Sequence, residues 1–171
     1  NSLVGHNTDV FGFNKGIENL NFNMMGKKIL ILGAGGVVPS IIFALNKMNV
    51  SSITVSNRTK AKAIDLKKNF QNLEVIDWGN IPDFDMIINA TSVGLNKNDK
   101  LDLDFLNVRN NKLFYDIIYN PQETNFLKTG KMLGNISENG MMMFIYQAHQ
   151  AFTIWHNIMP EINDETIKIL K

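Results

Sequence analysis

Cysteine is absent from this 171-residue chain, and its absence excludes disulfide bonds, thiolate catalysis and cysteine-ligated zinc. An excess of either charge is also lacking. The chain has 17 basic and 16 acidic residues, a balance that gives no electrostatic case for a nucleic-acid or anionic-membrane partner. Apolar runs such as "KILILGAGGVV" are too short to cross a bilayer, and no segment resembles a signal peptide. A cytoplasmic location is therefore the default expectation.

What the chain does have is a regular alternation of strand-like and helix-like segments. Short apolar, β-branched runs such as residues 28–33 are typical of strands buried on both faces, and stretches with helical spacing separate them. This alternation predicts an α/β fold with a mainly parallel sheet and helices on both faces, in one domain over residues 1–171. The predicted strands are 28–33, 52–57, 73–78, 84–90 and 112–118, and the predicted helices are 37–48, 60–70, 140–156 and 163–170.

A glycine-rich turn follows the first predicted strand. Gly33 and Gly35 lie in "ILILGAGGVVPS", before a helix whose first turn accommodates Pro39. Such a turn directs free backbone N–H groups and the positive end of a helix toward a phosphate, and the missing side chains let a pyrophosphate approach. Val38 stands where the G-x-G-x-x-G pattern has its third glycine, so the match is imperfect. The turn predicts a nucleotide-binding, Rossmann-like doubly wound fold.

One of the chain's two arginines follows the second predicted strand. The segment "SNRTKAK" contains Asn57, Arg58, Thr59 and Lys62 but no carboxylate. It lies roughly 20 residues beyond the glycine turn, where a dinucleotide fold reads the adenosine ribose. A carboxylate there would accept from the 2′-hydroxyl of NAD, whereas a guanidinium suits a 2′-phosphate. The segment therefore favours NADP, although a solvated turn with Thr59 as a helix cap is a plainer interpretation.

Six segments together resemble the shikimate dehydrogenase family. They are "GHNTDVFGF", "GAGGVVPS", "SNRTKAK", "DMIINATSVG", "YDIIYNPQETNFL" and "NGMMMFIYQAHQAFTIW", and they match the C-terminal, nucleotide-binding half of that two-domain enzyme. The resemblance implies NADP-dependent interconversion of 3-dehydroshikimate and shikimate, an oxidoreductase step of aromatic amino-acid biosynthesis in the chorismate pathway. It also implies an N-terminal substrate domain, which we expect to precede residue 1.

The resemblance implies a role for each matching residue. Asp9 corresponds to an aspartate that pairs with a catalytic lysine and contacts substrate, and Tyr119 and Gln147 correspond to further substrate contacts. The residues implied to bind the cofactor are Gly33, Ala34, Gly35, Gly36 and Val37 at the pyrophosphate, Asn57, Arg58, Thr59 and Lys62 at the 2′-phosphate, and Thr91, Ser92, Ile117 and Gly140 elsewhere along it.

No lysine of this chain matches the family's catalytic lysine, since Lys15 and Lys27 lie outside the motif. We therefore expect the chain to fold and to bind NADP, yet to be inactive as a dehydrogenase by itself. Two other hypotheses stay open. An NAD-using quinate/shikimate dehydrogenase would be expected to carry an acid near position 57 or 58, and a non-catalytic NADP-binding module would have kept the fold without the chemistry.

Other polar residues have plainer interpretations. Asp9 is compatible with the N-cap of a helix over "VFGFNKGI", and Asn163 or Asp164 with the cap of the last helix. His149 and His156 are seven residues apart and share a helix face, but three histidines without clustered carboxylates make a poor metal site. We predict no metal, and packing or surface roles for these histidines.

Overall fold

The computed structural model describes residues 2–170, which contain six helices and six strands. The helices are α1 (Thr8–Asn19), α2 (Val38–Lys47), α3 (Lys60–Leu66), α4 (Asn125–Met132), α5 (Met141–His156) and α6 (Asp164–Leu170). The strands are β1 (Lys28–Leu32), β2 (Ser52–Ser56), β3 (Leu73–Ile76), β4 (Met86–Asn89), β5 (Leu113–Asp116) and β6 (Ile136–Glu138).

All six strands form one parallel sheet in the order β3-β2-β1-β4-β5-β6. The central strand β1 pairs with β2 on one side and with β4 on the other. Its alternate residues face two separate apolar clusters: Ile29 and Ile31 lie in the first, and Leu30 and Leu32 in the second. The prediction of a Rossmann-like, doubly wound parallel sheet is confirmed.

The first face of the sheet is covered by α1, α2 and α5, which bury their apolar side chains in the first cluster. Helix α1 lies close against α5 because two of its buried residues are glycines. A Cβ atom at Gly12 would lie 2.5 Å from the carbonyl oxygen of Met143 in α5, and one at Gly16 would lie 3.3 Å from the backbone nitrogen of the same residue. This close packing places the amino end of α1 beside the first turns of α5.

The second face is covered by a cluster of phenylalanines and by α4. Phe84, Phe105, Phe114 and Phe126 pack with ring centroids 5.1 to 6.1 Å apart, within the range of favourable aromatic pairs. The connection from β4 to β5, residues 90–112, contains no helix and supplies Phe105 to this cluster. No helix within residues 2–170 is long and apolar enough to cross a membrane.

Two elements, β6 and α4, were not predicted from the sequence pattern. Strand β6 has three residues, none fully buried, and so carries no alternation to detect. Helix α4 includes Gly130, which is unfavourable in a helix but is needed for packing, because a Cβ there would lie 2.6 Å from Cγ of Phe114.

Two predicted helices can be compared with the structure at their ends. Helix α3 ends at Leu66 rather than at residue 70. The cap of α6 is confirmed, since the side chain of Asn163 accepts from the backbone N–H of Thr166.

Candidate functional site

The strand order reverses between β1 and β4, and this is where ligands of doubly wound sheets bind, beyond the carboxyl ends of the strands. Gly33 follows β1 at this point, with a φ of +112° that side chains rarely adopt. A Cβ atom on Gly33 would lie 2.6 Å from the carbonyl oxygen of Ala90, just beyond β4. Glycine is therefore required here for both the backbone turn and the close approach to β4.

The rest of the glycine loop is open to a ligand. A Cβ atom added at Gly35 or Gly36 would meet nothing within 4 Å, and both residues are exposed. Among residues 2–170, no acceptor receives the backbone N–H groups of Ala34, Gly35 and Gly36. Helix α2 begins directly after this loop, and no side chain caps its amino end. The open space, free donors and helix terminus fit a pyrophosphate.

Val38 does not push helix α2 away from the sheet. The side chain is fully buried and belongs to the first apolar cluster, where it packs with residues of the sheet and of α2. Pro39 falls in the first turn of the helix, as the sequence predicts. A β-branched residue at the third position of the glycine pattern is thus accommodated by core packing.

A basic surface lies at the carboxyl end of β2, beside the glycine loop. The Nδ2 of Asn57 donates to the carbonyl oxygen of Thr59 over 2.8 Å and holds the turn before α3. Arg58 and Lys62 are exposed, and neither forms an ion pair with another residue in 2–170. Thr59 is the N-cap residue of α3, but its side chain makes no capping hydrogen bond. The two cations are therefore available to an anion.

A second part of the site is a pocket of about 310 Å³ between α1, the end of β5 and α5. Asp9, Tyr119 and Gln147, the three residues implied to contact substrate, all line this pocket. Val37, Ile117 and Gly140 line it as well, together with Met143 and Phe144. The fold thus brings together residues that are 138 positions apart in the chain, from Asp9 to Gln147.

Asp9 is not the N-cap of α1. That position belongs to Asn7, whose Oδ1 accepts from the backbone N–H groups of Asp9 and Val10 and whose Nδ2 donates to Ser40 Oγ over 2.9 Å. An N-cap residue precedes the first helical turn, whereas Asp9 lies within it. The carboxylate of Asp9 is therefore left for the pocket.

Aromatic stacking and a backbone contact shape the opposite wall of the pocket. The ring of Tyr119 stacks on Phe144 with centroids 4.3 Å apart, and Nε2 of Gln147 donates to the carbonyl oxygen of Phe144 over 3.1 Å. Gly140 lies so near the end of β5 that a Cβ atom would collide with the carbonyl oxygen of Ile117. A glycine at this position lets α5 begin directly against the strand.

Asp116 is a buried carboxylate that was not predicted from the sequence, and it links the loops of the site. Asp116 accepts hydrogen bonds from Asn89 Nδ2, from the backbone N–H of Ile118 and from Thr124 Oγ1, at 2.7 to 3.1 Å. Burial raises the pKa of the Asp116 carboxyl, while these hydrogen bonds oppose the rise. Thr91 joins the network, since its hydroxyl donates to Asn89 Oδ1 over 2.7 Å.

This network positions several of the predicted cofactor residues. Thr91 is held by Asn89, whereas Ser92 next to it is exposed, and Ile117 directly follows Asp116. The available sequence signal was a polar residue at the end of an otherwise apolar strand, in "MIINA" and again in "LFYD". Such residues at neighbouring carboxyl ends meet at the same edge of a parallel sheet.

The histidines do not form a ligand cluster. His149 Nε2 lies 2.7 Å from the carbonyl oxygen of Pro160, and the ring of His156 lies against Phe152. Residues 2–170 contain no group of three His, Cys, Asp or Glu side chains that could hold a metal ion.

Comparisons with known proteins agree with this geometry. The profile of the "Shikimate / quinate 5-dehydrogenase" family matches residues 16–123. A shikimate dehydrogenase (NADP(+)) of Pelagibacter ubique is 55% identical over 170 residues, which cover 99% of this chain and 64% of that protein. The chain thus spans just under two thirds of this relative's length.

Two solved structures share the fold. Shikimate dehydrogenase from Aquifex aeolicus superimposes with a TM-score of 0.81 at 34% identity, over 97% of this chain and 61% of that one. Quinate dehydrogenase from Corynebacterium glutamicum in complex with NAD gives 0.84 at 27% identity, over the same shares. The family profile, the close relative and the shared fold together place this chain in the shikimate/quinate 5-dehydrogenase family.

Proposed function

We propose that this chain is the NADP-binding part of a cytoplasmic dehydrogenase that interconverts 3-dehydroshikimate and shikimate by hydride transfer. The observation that carries the proposal is the basic surface at the end of β2, where Arg58 and Lys62 are exposed beside an open glycine loop and have no ion-pair partner among residues 2–170. The name of the Pelagibacter relative, which includes NADP(+), supports the same cofactor.

The described residues fit NADP along the carboxyl edge of the sheet. The loop from Gly33 to Val37 would hold the pyrophosphate through backbone N–H groups, and Arg58 with Lys62 would hold the 2′-phosphate. Thr91, Ser92, Ile117 and Gly140 would lie along the nicotinamide half. When bound, the cofactor supplies or accepts the hydride.

The pocket residues would manage the substrate and its proton. Asp9 lines the pocket with its carboxylate free of the helix cap, so it can orient a cationic partner and raise that partner's affinity for a proton. Tyr119 and Gln147 line the same pocket and offer a hydroxyl and an amide to the substrate's hydroxyl groups. These groups bind and position the substrate against the cofactor side of the pocket.

The cationic partner of Asp9 is proposed to be a lysine outside this chain. The chain covers 64% of the Pelagibacter relative, which leaves room for a substrate domain that carries the lysine. We therefore expect the isolated chain to bind NADP(H) and to show no shikimate oxidation above a mock-purified control, and the complete gene product to be active. Oxidation by the isolated chain would contradict the assignment of the missing lysine.

A second candidate is an NAD-using quinate/shikimate dehydrogenase. Two observations favour it: the similarity to a quinate dehydrogenase in complex with NAD, and a carboxylate, Asp77, that the fold brings to the end of β2. An acid at that place would accept from the 2′-hydroxyl of NAD. The choice between the two candidates rests on which nucleotide binds more tightly.

The deciding experiment is a titration of the purified chain with NADPH and with NADH, followed by nicotinamide fluorescence. We expect a preference for NADPH that Arg58→Ala reduces by about tenfold or more, because a charge-assisted hydrogen bond to phosphate is lost. Arg109→Ala, which removes the chain's other arginine, is the matched control and is expected to leave both affinities unchanged. A preference for NADH would instead establish the second candidate.

A further inference from the structure

The fold brings a carboxylate to the basic surface that the local sequence lacks. Ser56, the last residue of β2, is in register with Ile76, the last residue of β3, so Asn57 and Asp77 follow side by side at the carboxyl edge. Ser56 Oγ also donates to the carbonyl oxygen of Asp77 over 3.3 Å. An acid therefore lies next to the segment that is expected to read the adenosine ribose.

Lys60 neutralises this carboxylate. Its Nζ lies 2.7 Å from Asp77 Oδ1, and both side chains are substantially exposed. Lys60 is the first residue of α3, one position after Thr59 and two before Lys62. The basic segment is thus divided: Lys60 is occupied by Asp77, whereas Arg58 and Lys62 have no such partner within residues 2–170.

An unpaired carboxylate at this place would act on the two nucleotides in opposite ways. It would repel a 2′-phosphate, which carries up to two negative charges, and it would accept a hydrogen bond from the 2′-hydroxyl of NAD. Paired with an ammonium group, the same carboxylate belongs to an ion pair with no net charge, and one of its acceptor oxygens is engaged. The cofactor preference of this edge thus depends on whether Asp77 is paired.

We propose that Lys60 is a positioning residue for cofactor choice, which favours NADPH over NADH by holding and neutralising Asp77 rather than by contacting the nucleotide. The inference rests on the proposed NADP function and deepens it. The preference for NADPH over NADH then has two causes. Arg58 and Lys62 attract the 2′-phosphate, and Lys60 neutralises the carboxylate that would repel it.

The test is a double-variant cycle on the purified chain, with dissociation constants for NADPH and NADH measured at low ionic strength. Lys60→Gln is expected to weaken NADPH binding by about three- to eightfold, which is the repulsion of one or two phosphate charges by one exposed carboxylate at a separation of about 7 Å in water. NADH binding should stay the same or become tighter. Adding Asp77→Asn to Lys60→Gln should restore NADPH binding to within about twofold of the unaltered chain.

A matched control removes a similar ion pair from the other end of the same helix. Lys68, two residues beyond the end of α3, pairs with Asp65 of the helix at 2.8 Å, and both side chains are exposed, so Lys68→Gln changes the net charge of the chain by the same amount. We expect it to leave the ratio of the two affinities unchanged. A shift equal to that of Lys60→Gln would show a general charge effect and would overturn the proposal.

The outcomes separate this inference from the proposed function. If NADPH is preferred and Lys60→Gln leaves the preference unchanged, the inference fails and the proposed function stands. If Lys60→Gln weakens NADPH binding and Asp77→Asn does not restore it, Lys60 contacts the phosphate directly, and the inference is again overturned. If the unaltered chain binds neither nucleotide, both fall together.

Discussion

The two edges of the parallel sheet, at the amino ends and at the carboxyl ends of its strands, differ in whether their charged groups are paired. At the amino edge, Lys28 and Lys112 both pair with Asp83, at 3.3 and 3.2 Å, and Lys27 and Lys112 lie within 4 Å of Asp85. Asp85 also accepts from the backbone N–H of Lys28, at the start of β1. Three lysines and two aspartates of this edge are therefore paired with one another.

The carboxyl edge leaves cations and donors free. Arg58 and Lys62 have no ion-pair partner within residues 2–170, and the N–H groups of Ala34, Gly35 and Gly36 have no acceptor there. A larger cavity, of about 740 Å³, lies at the amino edge, but Asp83 and Asp104 line it with Arg109 and Lys112. We infer that unpaired cations and free N–H donors, rather than cavity size, distinguish the edge that we propose to bind the cofactor.

The largest expected effect comes from removing the buried carboxylate of the carboxyl edge. Asp116→Ala leaves Asn89 Nδ2, the Ile118 N–H and the Thr124 hydroxyl without their acceptor, so we expect unfolding to require about 3 kcal/mol less. Urea denaturation measures the loss. Thr124→Ser, which keeps the hydroxyl, is the control and should cost less, and a loss below about 1 kcal/mol for Asp116→Ala would refute the role of the network.

A negative charge placed in the glycine loop should weaken cofactor binding at the carboxyl edge without unfolding the chain. Gly36→Asp puts a carboxylate where a Cβ meets nothing, so we expect stability to change by less than about 0.5 kcal/mol. Binding of NADPH should weaken by at least about tenfold, through repulsion of the pyrophosphate. Met25→Asp, an exposed change just before β1, is the control, and equal effects of the two variants on Kd would contradict the loop's assignment.

Removing a cation from the amino edge should lower the stability of the chain and leave cofactor binding unchanged, which is the reverse of the effect expected for Gly36→Asp. Lys112 is 14% exposed and bridges Asp83 and Asp85, so Lys112→Met is expected to reduce the free energy of unfolding by about 1 kcal/mol and to leave NADPH affinity unchanged. Lys28→Met, at a side chain that is 56% exposed, should cost less than half as much. A change in NADPH affinity for either variant would show that the edges are coupled.

The smallest expected effect is a difference in how the two edges respond to acid. Hydrogen bonds from Lys112 and Lys28 hold the pKa of Asp83 below its ordinary value, so its contribution to stability is present above about pH 4 and is lost as the pH falls. Burial raises the pKa of Asp116, so its contribution is greatest below about pH 4 and is lost as the pH rises through the raised pKa.

Urea denaturation across pH 3–7 checks both signs against asparagine variants. The stability of the unaltered chain relative to Asp83→Asn should decrease toward low pH, and its stability relative to Asp116→Asn should decrease toward high pH. Curves that change in the same direction would contradict the opposite pKa shifts of the two edges.

Much of the fold could be predicted from the sequence because its signals are local. The five predicted strands each contain an observed strand, and the glycine turn after residues 28–33 led to the correct sheet type. The short elements α4 and β6 carried no readable period, since Gly130 serves tertiary packing and β6 has three residues. The N-cap of α1 was assigned to Asp9 as an alternative, but Asn7 holds it and also binds Ser40 of α2.

The candidate site, like the fold, was only partly predicted from the sequence. The resemblance to the shikimate dehydrogenase family indicated Asp9, Tyr119 and Gln147, and the fold gathers all three in one pocket. Their roles in binding and catalysis stay predictions, as do the cofactor contacts. The buried network around Asp116 and the approach of Asp77 to the basic surface were not predicted, because each depends on the pairing of strands that are distant in the chain.

The sequence by itself determined which segments are strands and helices, where glycine must stand, and which cations lie after β2. Those properties follow from side-chain period, backbone freedom and charge, all of which act over a few neighbouring residues. Only the tertiary structure decided which charges are neutralised. Lys60 and Asp77 are 17 positions apart, and their ion pair exists because parallel pairing of β2 with β3 brings both carboxyl ends to the same edge of the sheet.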